Sequence, residues 1–218
     1  MHQRLSRSNW PYCDSTYPDA FSGEKDSCGV GFIASVEGKQ NHWVLSQALR
    51  GLSCMEHRGG CGGDGDSGDG AGILCEIPWS YLKQVWGIAR ECEPQTTGIG
   101  MVFMPKDIKN REIARRICEQ ESEYLGLTSK GWRDVPVNQD VLGKLAKENA
   151  PFITQWIVNT KEKDINLEAL LFRLRQRISN RANIELNEDR LGLYICSLSS
   201  KTIVYKGMVR SKILAPFY

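Results

Sequence analysis

An apolar run begins abruptly at Cys28. The segment Asp26-Ser27-Cys28-Gly29-Val30-Gly31-Phe32-Ile33-Ala34 follows 27 polar, turn-rich residues. From Cys28 to Val36 it predicts a strand, nearly continuously apolar as suits a strand covered on both faces. The cysteine at its head has two readings. A thiol that starts an apolar strand is commonly a small buried hydrophobe. Alternatively, cleavage of the Ser27–Cys28 bond would give Cys28 a free α-amine beside its thiol. An α-amine titrates at about 7.7–8.0 and a thiol near 8.5, so the amine is a competent proton acceptor around neutrality. Nucleophile and base would then share one residue.

The rest of the composition bounds the answer. At 218 residues there is room for one large or two small domains. With 41% hydrophobic and 25% charged residues, the chain has an ordinary soluble globular composition. A net charge of +2 argues against a dominant nucleic-acid or anionic-membrane partner. No apolar run approaches the roughly 18 residues of a transmembrane helix. The first 27 residues lack the apolar core of a secretory signal, and Asp14, Asp19, Glu24 and Asp26 make them acid-rich for a transit peptide. Residues 1–27 therefore read as a short prosegment that is not an address. Eight cysteines are scattered through periodic segments with no secretion signal, which suits reduced thiols in an intracellular chain. Cys54, His57 and Cys61 lie close enough in sequence to keep a metal site open as an alternative.

Strands and helices alternate along the chain. Val44, Leu45, Ala48, Leu49, Leu52 and Met55 recur at helical steps. Ile73 to Pro78 predicts a strand, Trp79 to about Ala89 a helix, and Gly98 to Met104 a strand ended by Pro105. Asp107 can cap a helix running to about Leu125. Asn138 to Glu148 reads as a helix, Phe152 to Val158 as a strand, and Leu167 to Ile178 as a helix with Arg173, Arg177 and Arg181 on a neighbouring face. Leu191 to Ser197 and Thr202 to Lys206 predict two strands joined as a hairpin at Ser199-Ser200. The stop at Phe217-Tyr218, partway through an apolar segment, reads as the end of a fragment. Periodicity alone gives a mixed α and β domain.

Between the first helix and the next strand, residues 59–72 hold eight glycines in fourteen positions, which no helix tolerates. Asp64 and Asp66 suggest a calcium loop, but the twelfth position is Cys75 and Gly68 replaces the fifth ligand. No Lys-Ser/Thr pair follows a glycine run, and no strand-to-helix turn gives a dinucleotide fingerprint. What remains is a backbone able to approach another group closely.

Three segments together resemble a known family: Cys-Gly-Val-Gly-Phe at 28–32, Cys-Met-Glu-His-Arg-Gly-Gly-Cys at 54–61 and Asp-Ser-Gly-Asp-Gly-Ala-Gly at 66–72. They are similar to the start of the N-terminal-nucleophile (class II) glutamine amidotransferase domain of glutamate synthases. The run Thr-Ile-Val-Tyr-Lys-Gly-Met at 202–208 strengthens the likeness, and Cys54 and Cys61 look more like the ferredoxin-dependent type. The resemblance implies an α+β fold, the αββα four-layer sandwich of these hydrolases, incomplete at the C-terminus, over residues 28–218. It implies that Cys28 is the catalytic nucleophile and that Arg58 helps order the glutamine pocket; a helix-terminal arginine satisfying carbonyls is the plainer reading of Arg58.

The implied activity is glutamine hydrolysis through a γ-glutamyl thioester, feeding ammonia to glutamate formation from 2-oxoglutarate. No cofactor residue can be named within this chain. FMN and an iron–sulfur cluster are implied for a full-length enzyme, with ferredoxin as electron donor and downstream synthase domains of the same polypeptide as partners. A bacterial cytoplasm or plastid stroma would be its place. The family's oxyanion hole lies beyond the residues present, so this chain alone is expected to be nearly inactive, since losing even one oxyanion donor costs about 10²–10³ in rate. Two alternatives stay open: another class II amidotransferase acting on phosphoribosyl or sugar substrates, or a non-catalytic remnant binding a partner or metal through Cys54, His57 and Cys61.

Overall fold

The computed structural model describes residues 29–56, 64–186 and 192–218. Its elements in chain order are α1 (His42–Cys54), β1 (Ala71–Glu76), α2 (Trp79–Val85), β2 (Thr97–Met104), α3 (Ile108–Tyr124), β3 (Thr128–Asp134), α4 (Lys144–Asn149), β4 (Phe152–Asn159), α5 (Leu167–Glu185), β5 (Tyr194–Ser199), β6 (Thr202–Gly207) and α6 (Leu214–Phe217). Side-chain caps set several helix starts. Asn41 accepts from the Trp43 amide at 2.8 Å, Asp107 from Asn110 at 2.9 Å and Asn166 from Ala169 at 3.1 Å. Four strands form an antiparallel sheet in the order β3-β4-β2-β5, and β1 pairs with β6 in a second, two-stranded sheet.

Alternation along β2 and β4 gives the larger sheet two apolar faces. Val102, Met104, Trp156 and Val158 meet α3 and α5 through Ala114, Ile117, Leu171, Leu174 and Ile178. Ile99, Met101, Ile153 and Ile157 point the other way, toward Leu82, Trp86 and Ile203 of β6. A bulge between Met101 and Val102 shifts the register against β5. α1 lies against β1. The layers therefore run helices, sheet, sheet, helix, as the resemblance implies.

Four sequence expectations need correction, and one strand was not anticipated. The run after Cys28 is not a strand: Gly29 to Ala34 is irregular, with Val30 and Phe32 about nine-tenths exposed, and Val36 fully so. A strand is stable only with a ladder partner and a covering layer, and the described residues supply it neither. The predicted 79–89 helix breaks at Trp86, whose extended φ of -135° separates α2 from a 3₁₀ turn at Gly87–Glu91. The 138–148 helix splits at Leu142-Gly143 into a 3₁₀ turn and α4. The edge strand β3 went unseen because Thr-Ser-Lys-Gly-Trp-Arg-Asp is polar and bulged between Ser129 and Gly131. Finally, β5 and β6 follow one another but belong to different sheets.

That last corner is held by side chains where a hairpin ladder would be. Ser197 Oγ accepts from the Val204 amide at 3.1 Å, and Ser199 Oγ from the Lys201 and Thr202 amides at 3.0 and 3.2 Å. Glu168, in the first turn of α5, accepts from the Ser200 amide and hydroxyl, both at 2.6 Å, and from the Ser199 hydroxyl. Desolvation raises its carboxyl, but the Ser200 and Ser199 bonds and Lys201 outweigh it and hold it below the usual range. A depressed folded pKa contributes stability above the unfolded value of about 4.3 and loses it as pH falls through the folded one. Glu168→Gln is therefore expected to lower the urea midpoint at about pH 6, with the gap to wild type closing toward about pH 3. A gap that persists in acid would show that charge is not what holds the corner.

The arginine stripe of α5 is an inter-helix tie. Arg177 Nε donates to Glu121 Oε2 at 2.6 Å and Arg181 Nη1 to Glu121 Oε1 at 3.2 Å, while Arg181 Nε donates to Glu185 at 2.6 Å. Glu121 of α3 is buried, and two guanidinium groups compensate its charge. Arg173 stays exposed.

Candidate active site

Cys28 and Arg58 both lie outside the described residues, as do His57 and Cys61. The structure shows how the chain is held on either side of the 57–63 segment. On the near side, α1 ends at Cys54 and the Met55 amide donates to the Leu52 carbonyl at 3.0 Å. The next residue, Glu56, is gripped by cations from far along the chain. Arg210 Nη2 donates to Glu56 Oε1, and Lys212 Nζ approaches the same oxygen at 3.2 Å. Desolvation pushes the Glu56 carboxyl up, but the hydrogen bonds and charges of Lys212 and Arg210 prevail and hold it below the ordinary carboxylate range.

On the far side, Asp64 begins a turn that docks on α4. Its Oδ1 accepts from the Asp66 and Ser67 amides at 3.2 and 2.8 Å, and its Oδ2 from Ser67 Oγ at 2.7 Å. Oδ2 also accepts from the Leu145 amide at 3.0 Å, and Ser67 Oγ from the Ala146 amide at 3.0 Å. These are orphan amides of the first turn of α4, whose N-cap Gly143 has no side chain to serve them. The capping oxygens thus come from the glycine-rich loop. The Ser67 hydroxyl first, then the Leu145 and Ser67 amides, hold the Asp64 carboxyl far below its ordinary value. Gly143 is required by the same docking: a Cβ there would stand 2.7 Å from the Ser67 nitrogen and 2.8 Å from Asp66 Cβ.

The loop then runs against the segment after β6. A Cβ at Gly68 would lie 2.6 Å from the Arg210 nitrogen and 2.7 Å from the Val209 carbonyl carbon, both backbone atoms that cannot swing aside. From there the ladder of β1 and β6 continues in register from Ala71↔Gly207 to Glu76↔Thr202. The close backbone approach expected of residues 59–72 is thus realised at Gly68, and its partner is Val209–Arg210, just past the 202–208 motif. Asp64, one of the two acids that suggested a calcium loop, serves as a cap.

The thiols within the described residues contrast with what a nucleophile needs. Burial pushes Cys75, Cys92 and Cys118 up, Cys118 furthest, and raises Cys196 to about 11. A thiolate is the reactive form, so these behave as small apolar side chains. No three or more His, Cys, Asp or Glu side chains converge as a metal-ligand set among the described residues. No described helix is long and apolar enough to cross a membrane.

Sequence reasoning missed Glu56, Ser67, Gly143, Arg210 and Lys212. The Asp64-x-x-Ser67 spacing is a legible turn signal, but its partners at 145 and 146 are not. Nothing local marks Glu56 and Arg210 as a pair, since they stand 154 residues apart.

Residues 28–218 match the family described as glutamine amidotransferases class-II. The chain is 48% identical over 200 residues to ferredoxin-dependent glutamate synthase 2 of Synechocystis sp., covering 89% of this chain and 12% of that protein. It is 43% identical to ferredoxin-dependent glutamate synthase 1, chloroplastic/mitochondrial, of Arabidopsis thaliana, with the same 89% and 12% coverage. A ferredoxin-dependent glutamate synthase of Pyropia yezoensis is 44% identical, covering 89% of this chain and 13% of that protein. The chain thus spans about an eighth of the length of the curated relatives it matches.

Proposed function

The chain belongs to the class-II glutamine amidotransferases, and from that premise we propose that it is the glutaminase part of a ferredoxin-dependent glutamate synthase, with Cys28 as its N-terminal nucleophile. The observation that carries the reading is that the family match opens at Cys28 itself and continues to residue 218. Residues 1–27 are then a prosegment whose removal frees the Cys28 amine. That amine takes the thiol proton, and the thiolate adds to the side-chain carbonyl carbon of glutamine. The carbon–nitrogen bond breaks as the nitrogen receives the proton from the Cys28 ammonium and leaves as ammonia. Water then adds to the γ-glutamyl thioester, the carbon–sulfur bond breaks, and glutamate is released with the thiol restored. Arg58 orders the pocket around the bound glutamine.

In the whole protein the ammonia would go to 2-oxoglutarate, with electrons from ferredoxin. FMN and an iron–sulfur cluster would serve that redox step. Among the described residues no His, Cys, Asp or Glu cluster could hold an iron–sulfur cluster, and Cys75, Cys92, Cys118 and Cys196 have their thiols pushed up by burial, so no step above passes through either group. The relatives named as chloroplastic and from a cyanobacterium support a plastid stroma or bacterial cytoplasm. The test is glutamine-dependent ammonia release by the full-length protein, present with Cys28 and lost in Cys28→Ala. Release that survives the substitution would refute the assignment.

A further inference from the structure

We infer that α1 is a strap seated on β1 and residues 210–213 and latched by the ion pairs of Glu56, and that it opens as one unit while both core layers stay folded. The helix carries an apolar stripe of Val44, Leu45, Ala48, Leu49 and Leu52, yet none of its 13 residues is buried. None of them joins either apolar cluster of the sandwich. What α1 packs on is β1 and the 3₁₀ turn Ser211–Ile213. A protein helix draws most of its stability from a buried face, so the polar ties at the two ends of α1 decide whether it stays down. Before its start, Gln40 Nε2 donates to the Ile77 carbonyl at 3.3 Å. Past its end, Glu56 Oε1 accepts from Arg210 Nη2, and Lys212 Nζ stands 3.2 Å from the same oxygen. The cations are on the fixed side of this latch, because the Arg210 backbone lies against Gly68 and follows the β1–β6 ladder. The carboxylate is on the side that moves. Beneath the helix the seat is imperfectly paired: Arg210 Nε and Ser211 Oγ are buried without a hydrogen-bond partner among the described residues. A buried polar group left unpaired costs free energy that water restores on exposure. Opening α1 offers both atoms to water and offsets part of the apolar contact it gives up.

The partners remain 26–49% exposed. Ion pairs of that exposure are weak, so the latch releases far more readily than the sandwich unfolds, as local openings do. Amide hydrogen exchange, read residue by residue on the whole chain, tests this. In the wild type the α1 amides should be protected at least roughly tenfold less than those of β2 and β4. Glu56→Gln keeps the side-chain volume and removes the charge that both cations share. It should speed exchange of all the α1 amides together, roughly three- to tenfold, and leave β2 and β4 unchanged. Arg210→Gln leaves the Lys212 tie in place and should have a smaller effect. The double variant should exceed Glu56→Gln by nothing, because both substitutions break one latch. Protection of α1 equal to that of β2 and β4 in the wild type would overturn the inference without any variant. So would wild-type exchange in Glu56→Gln, a change confined to the last turn of α1, or an acceleration shared by the core strands.

Discussion

Cys28→Ala is expected to lower glutamine turnover on the order of 10⁶-fold, the scale seen when a catalytic nucleophile is deleted. The size follows from what the residue combines. In the mechanism proposed above its sulfur would form the covalent intermediate and its own amine would accept the proton, so no neighbouring side chain would have to supply the base. The buried thiols of the described residues are poor substitutes. Within the described residues Cys118 is fully buried and Cys196 is raised to about 11 by desolvation, and neither is poised as a thiolate near neutrality. Cys28→Ser, which keeps the amine but offers a far less acidic hydroxyl, should fall between wild type and alanine. The measurement is ammonia release from glutamine by the full-length protein. A loss of less than about tenfold would place the chemistry elsewhere.

The second large effect is on stability. Trp156→Ala is expected to destabilise the chain by about 3–5 kcal/mol, the range for removing a buried tryptophan from a core. Trp156 is fully buried at the centre of β4, on the sheet face covered by α3 and α5. Its ring stacks on Trp132 of β3 with centroids 5.0 Å apart and planes 6° from parallel. Its Nε1 donates to Ser129 Oγ at 2.8 Å. Truncation opens a cavity, unstacks Trp132 and leaves the Ser129 hydroxyl without its donor. Trp156→Phe keeps most of the volume and loses the hydrogen bond, so it should cost nearer 1 kcal/mol beyond repacking. Urea unfolding of both variants separates the terms. Equal losses would mean that the hydrogen bond, not the packing, holds β3 to β4.

Elements whose signal is local were legible. α3 has its Asp107 cap and its Ala114, Ile117 and Cys118 stripe, and β4 is an apolar run entered through Pro151. Elements set by a distant partner were not. β3 exists because its backbone pairs with β4, and its residues carry no apolar alternation that would announce it. β6 turns away from β5 because serine side chains take over the corner's hydrogen bonds, which a hairpin pattern does not reveal. The run at 29–36 shows the converse: apolar composition announces a strand, but without a paired edge and a covering layer it stays irregular and exposed. Around the candidate site, the glycines promised a close approach. Only the structure shows that the approached backbone is Val209–Arg210 and that the loop's Asp64 and Ser67 cap α4.

The most direct test is the mass of the mature N-terminal peptide, taken from the protein as its own cells make it. The account predicts a chain that starts at Cys28 with an unblocked α-amine, residues 1–27 gone. An active enzyme that still begins at Met1, or whose Cys28 amine is acylated, would leave the thiol without the base assigned to it and would contradict the mechanism.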